Sequence, residues 1–100
     1  HVAYDKLVDR YLMGVVGYVA SIAGREESEI SAELQNGKSL AQLSGRSESD
    51  LLRELWAPLN GTLDRAWRTD KSTTAQRFAE IKSDAEKRLA DIISTGGYGY

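Results

Sequence analysis

Along almost the whole chain, apolar side chains recur at steps of three and four, and no run alternates apolar with polar residues between hairpin turns. The first pattern marks helices with one buried face, and the lack of the second leaves no place for strands. The expected fold is all-α, a compact five-helix orthogonal bundle with residues 1–95 as one domain. At 100 residues the chain closes a single core that buries roughly two-thirds of the surface exposed when unfolded.

The first helix spans 3–23. Leu7, Tyr11, Val15, Val19 and Ile22 share one face, while Val8, Leu12, Val16 and Tyr18 make its later turns apolar nearly all round. Such a helix is surrounded, either inside the monomer or at a seam between two copies, and Gly14 and Gly17 would let a second helix approach closely. Its apolar stretch, Tyr11 to Ala23, is interrupted by Gly14, Gly17 and Ser21 and falls short of the ~18 residues of a membrane span.

Gly24 ends this helix, and Glu26, Glu27 and Glu29 crowd the start of the next, which carries Ile30 and Leu34 and stops at Asn36-Gly37. Ser39 is the N-cap of a short helix 40–44, Gly45 ends it, and Ser47 caps a fourth helix with Asp50 placed as in a capping box. Leu51, Leu52, Leu55, Trp56, Leu59, Leu63 and Trp67 stripe that helix. Pro58 kinks it near Asn60-Gly61, or splits it into 48–57 and 59–69; the surviving leucine register favours one kinked helix. After a polar turn at 70–73, Thr73 and Gln76 form a capping box for the last helix, which carries Phe78, Ile81, Ala85, Leu89 and Ile92. Residues 96–100 form a flexible Gly/Tyr tail.

Composition excludes several chemistries. With no Cys, the chain has neither a disulfide scaffold nor a thiolate metal site. The only His is His1, so a Ser-His pair has no base inside the fold, and a copper site at His1 lacks further ligands. That opening His in place of Met reads as a trimmed or processed terminus, so a missing leader says nothing about location. The carboxylates on the helix faces read as solvated ion pairs. Gly37-Lys38-Ser39 lacks the upstream glycine and strand of a phosphate loop and reads as a helix stop followed by a cap. No catalytic residue, metal ligand or cofactor is expected.

Residues 39–55 read as a helix-turn-helix-like corner, with Ala41 at the crossing, Gly45 in the turn and Ser47 as cap. In that reading Arg46, Ser49 and Arg53 are the nucleic-acid contacts. Glu48 and Asp50, however, would face phosphates with the wrong sign. Residues 1–50 carry five basic and eight acidic groups, and a net charge of −2 over the chain attracts no polyanion. Nucleic acid is therefore not the favoured partner.

The run Ser28-Glu29-Ile30, Leu34-Gln35, Gly37-Lys38-Ser39-Leu40-Ala41-Gln42-Leu43, then Gly45-Arg46-Ser47-Glu48, Leu51, Leu59 and Leu63-Asp64-Arg65-Ala66 resembles a small helical module of bacterial exported proteins of unknown function. The likeness covers about residues 25–93 and leaves out the first helix. Arg46 stands where that module has an apolar residue, and Trp56, Trp67 and Phe78 are bulkier than its small residues. The resemblance implies an extracytoplasmic, secreted or cell-envelope location and no catalytic residues.

The candidate interaction residues are aromatic: Tyr11 and Tyr18 on the first helix, Trp56 and Trp67 three turns apart on the fourth, and Tyr98 and Tyr100 in the tail. Indole and phenol rings suit interfaces. The expected function is a non-catalytic module acting by protein–protein contact or self-assembly, with the first helix as a possible homo-oligomer seam. The alternatives are a helix-turn-helix DNA-binding regulator and a small apolar ligand carrier with its pocket beside Trp56.

Overall fold

The computed structural model describes residues 2–95. Helices α1 (Tyr4–Met13), α2 (Val15–Ala23), α3 (Glu27–Gln35), α4 (Leu40–Ser44), α5 (Glu48–Thr69) and α6 (Ala75–Ser94) follow one another, with no strand among the described residues. His1, Tyr98 and Tyr100 lie outside the described residues.

The rod formed by α1 and α2 is interrupted only at Gly14, which keeps a right-handed backbone (φ −89°, ψ −4°). Gly14 N–H donates to the Tyr11 carbonyl at 3.0 Å, and the Gly14 carbonyl accepts the Tyr18 N–H at 3.1 Å. Counting the rod once, the all-α bundle has the five helices that the spacing predicts. Tyr4, Val8, Leu12, Val16 and Val19 are buried along the rod, whereas Leu7, Tyr11 and Ile22 are only partly covered. Along α1 the deeper stripe is the second of the two read from sequence, extended back to Tyr4, whereas along α2 Val15 and Val19 of the first stripe are buried with Val16 of the second, and Tyr18 of the second is exposed. Both stripes are apolar, and the helices packed on each half of the rod, α5 and α6 on α1 and α3 and α4 on α2, decide which members are covered.

Gly24 takes the left-handed conformation (φ 67°), and Arg25 N–H closes the helix end on the Ala20 carbonyl at 2.9 Å. The chain leaves at 109° to the rod. Gly17 does let another helix of the same chain approach: a Cβ there would lie 3.3 Å from the carboxyl carbon of Glu27, the first residue of α3. Glu29 accepts the Glu26 N–H at 3.2 Å.

Ser39 and Gln42 form a reciprocal capping box at the start of α4, with bonds of 3.2 and 2.8 Å. Gly45 (φ 74°) turns the chain, and the Ser47 hydroxyl accepts the Asp50 N–H at 3.1 Å. The Asp50 carboxylate does not reach back to complete a box. It pairs with Arg53 at 3.3 Å.

Through Pro58, α5 continues as one helix of 22 residues. Leu51, Leu55, Leu59 and Leu63 are buried along it, each contributing about 1.5–3 kcal/mol. Helix α6 returns antiparallel, burying Phe78, Ala85, Leu89, Ile92 and Ile93. The rod lies along this hairpin through α1, and α4 fills the far end against α2, α5 and α6. The N-cap of α6 is Thr74, whose hydroxyl accepts the Arg77 N–H at 3.1 Å. The cap read from sequence at Thr73 therefore falls one residue later, as a simple cap without the reciprocal Gln76 bond, and the Thr73 hydroxyl instead donates to Asp70 at 2.6 Å. No single helix among the described residues is long and apolar enough to cross a membrane.

Candidate functional site

Tyr4, Tyr11 and Tyr18 stand seven residues apart on the rod, and each hydroxyl donates to a group on α5 or just beyond it. Tyr4 reaches Asp70 Oδ2 at 2.7 Å, Tyr11 the Leu55 carbonyl at 2.5 Å, and Tyr18 the Glu54 carboxylate. The Leu55 carbonyl lies in the turn that Pro58 loosens by removing a backbone donor.

At one end of this ladder Asp70, 8% exposed, accepts four hydrogen bonds. Ser72 donates its N–H (2.9 Å) and hydroxyl (2.8 Å) to Oδ1, while Tyr4 (2.7 Å) and Thr73 (2.6 Å) donate to Oδ2. The Thr73 hydroxyl, then the Ser72 N–H and the Tyr4 and Ser72 hydroxyls, hold this carboxyl far below its usual range against the cost of burial. Burial, followed by the bond to Asp70 and its charge, pushes the Tyr4 phenol up to about 12. Around the cluster Trp67 stacks on Phe78 (4.6 Å between centroids, 11° between planes) and donates its indole N–H to the Thr73 carbonyl at 3.0 Å. The Asp70 lone pairs are occupied, and the arrangement ties the α5–α6 loop to the start of α1.

The other end is open. Met13 is 80% exposed and Tyr18 36%, and they flank the exposed Gly14. They are the exposed large hydrophobic side chains among the described residues. Tyr18 and Gly14 border a groove of about 290 Å³ lined by Arg10, Tyr11, Gly14, Val15, Tyr18 and Leu55. The bond to Glu54 raises the Tyr18 phenol pKa above its ordinary value, with burial and the Glu54 charge adding and Arg46 opposing. For Tyr11, burial and then the charge of Tyr18 act in the same direction. Both hydroxyls are engaged inward, which leaves their rings as apolar walls.

The structure therefore brings Tyr11 and Tyr18 together and separates them from the two indoles. Trp67 belongs to the Asp70 end, while Trp56 packs partly buried against the core and does not line the groove. The groove that a carrier was expected to show beside Trp56 lies instead over Gly14. Of the residues read as nucleic-acid contacts, Arg46 pairs with Glu54 at 3.1 Å and Arg53 with Asp50, while Ser49 faces a shallow depression shared with Leu52, Ala90 and Ile93 on the α6 side. No group of three or more metal-binding side chains comes together among the described residues.

Sequence reasoning missed Tyr4, Asp70 and Met13. The heptad spacing of the three tyrosines and the Asp-x-Ser-Thr run were legible signals for the first two. Met13 carried none, since an apolar residue in an apolar helix says nothing of its direction. Comparison with protein-family models, curated proteins and solved structures returned no match.

Proposed function

We propose that this chain is a non-catalytic helical module that acts by protein–protein contact or self-assembly, through the face of the rod around Met13, Gly14 and Tyr18. The observation carrying this reading is that Met13, 80% exposed, and Tyr18, 36% exposed, are the exposed large apolar side chains among the described residues, and Tyr18 lines an apolar groove. An exposed flexible Met beside aromatic walls suits an adaptable interface. The groove is an open furrow of about 290 Å³, at the lower edge of the ~300–1,000 Å³ of small-molecule pockets, and this favours a docked side chain over a carried ligand. Asp70, with its acceptor sites filled by four donors, offers no free base, in keeping with a role without catalysis. The paired Arg46 and Arg53 favour a protein partner over nucleic acid. A location outside the cytoplasm belongs to this proposal on the strength of the Gly37–Leu43 and Gly45–Ser47 pattern alone.

The test is photo-crosslinking from a probe installed at position 13, with a control probe at the exposed Glu86. A discrete adduct is expected from position 13 only, competed away by excess unlabelled wild-type chain and not by the Met13→Glu variant. Its mass tells a second copy from another protein. Adducts that neither chain competes away, or equal adducts from both positions, would overturn the proposal.

A further inference from the structure

We infer that Met13 is a site of reversible oxidation, at which one oxygen from a peroxide turns the contact face off while the fold stays intact. The inference deepens the contact reading and rests on it for its consequence; the chemistry at sulfur does not. The chain has one Met and no Cys, so the Met13 thioether is its single sulfur and the group that a peroxide attacks most readily. Methionine in a helical bundle commonly fills gaps in the core, where a polar sulfoxide would cost stability. Met13 is instead 80% exposed, at the last position of α1. The oxidisable rings are better covered or engaged. Trp67 stacks on Phe78 and donates its N–H to the Thr73 carbonyl, Trp56 packs partly buried against the core, and the Tyr11 and Tyr18 hydroxyls are hydrogen-bonded. Oxidation therefore falls on one atom. The sulfur lone pair attacks one oxygen of hydrogen peroxide, the O–O bond breaks, and the second oxygen leaves as water with the proton of the first; sulfur loses two electrons to the peroxide. The thioether becomes a polar, chiral sulfoxide. Water already surrounds this side chain, so the folded state loses no packing. The face changes, because Met13 and Tyr18 are its exposed large apolar side chains and a sulfoxide must be desolvated before a partner covers it. A sulfoxide reductase supplied with a dithiol returns the thioether, releasing a disulfide and water.

The test treats the folded chain with hydrogen peroxide and follows peptide masses, urea unfolding and competition for the adduct formed from a probe at position 13. Met13 is expected to take up one oxygen at close to the rate of a free methionine peptide, with the urea midpoint unchanged. Competition should weaken about tenfold or more, as on truncating a central contact residue, and sulfoxide reductase with dithiothreitol should restore it. A Met13→Leu chain should compete equally before and after peroxide. Oxidation much slower than that of the free peptide, a lowered urea midpoint, loss of competition by peroxide-treated Met13→Leu, or an oxidised chain that competes as well as the reduced one would overturn the inference. Equal competition by the oxidised chain leaves the contact reading standing; failure of the reduced chain to compete removes the contact reading and the switch together.

Discussion

Asp70 is a buried carboxylate held by four hydroxyl and amide donors and by no cation. Hydrogen bonds to a charged acceptor are stronger than neutral ones, so removing one donor has a measurable cost. Tyr4→Phe should lower stability by about 1–2 kcal/mol in equilibrium denaturation while leaving the spectrum of the folded state unchanged. The sign of the acid response follows from the direction of the shift. The folded carboxyl titrates below its unfolded counterpart, so its stabilisation is complete above the unfolded value near ~4 and is lost as pH falls below it. Asp70→Asn should therefore be less stable at neutral pH and lose less between pH 5 and pH 2 than wild type, as read by thermal unfolding across that range. The local half of this cluster, Asp70 with Ser72 and Thr73, was legible as a turn, but its pairing with Tyr4 was not, because Tyr4 lies 66 residues from Asp70 in sequence. Thr73 shows a smaller limit: its hydroxyl could cap α6 or bond Asp70, and it bonds Asp70 while Thr74 takes the cap.

At the scale of elements, the local signals were read correctly where chemistry is local. Ser39 and Ser47 cap their helices, and Gly24, Gly37 and Gly45 adopt the left-handed turns that end the preceding ones. The leucine register of α5 continues across Pro58 as the spacing requires, since a proline removes one backbone donor without rotating the face. The glycines of the rod were not legible in the same way. Their role depends on what stands opposite, which is Glu27 for Gly17 and open surface for Gly14. Two substitutions separate these situations. At Gly45 a Cβ meets open space but φ is 74°, so Gly45→Ala should cost about 1–2 kcal/mol through backbone strain alone. At Gly14 the backbone is right-handed and a Cβ would sit 3.5 Å from the Tyr11 carbonyl oxygen. Gly14→Ala should stabilise the chain by about 0.5–1 kcal/mol, and urea unfolding distinguishes the two signs. A stabilising Ala at a position where the chain carries Gly points to a use for the bare groove floor beyond folding.

For the molecule as a whole, the bundle measures 43 × 22 × 20 Å, and a near-neutral net charge hides an uneven use of its charges. Among the described residues Arg25, Lys38, Arg46, Arg53, Arg77, Lys82 and Arg88 pair with acids, while Lys6, Arg10, Arg65, Arg68, Lys71 and Lys87 form no ion pair. The sequence carried the helical class and most turns because those depend on residues within a few positions. The choice of exposed face depends on how α3 to α6 settle against the rod, and no local pattern encodes that. The central claim is that folding leaves the Met13 face over, so that this face is available for contact. Equilibrium urea unfolding of Met13→Gln tests it most directly. An exposed side chain that the fold does not use predicts a free energy of unfolding within ~0.5 kcal/mol of wild type. A loss of about 2 kcal/mol or more, the cost of truncating a buried methionine, would show that Met13 is part of the core and that the face is not free.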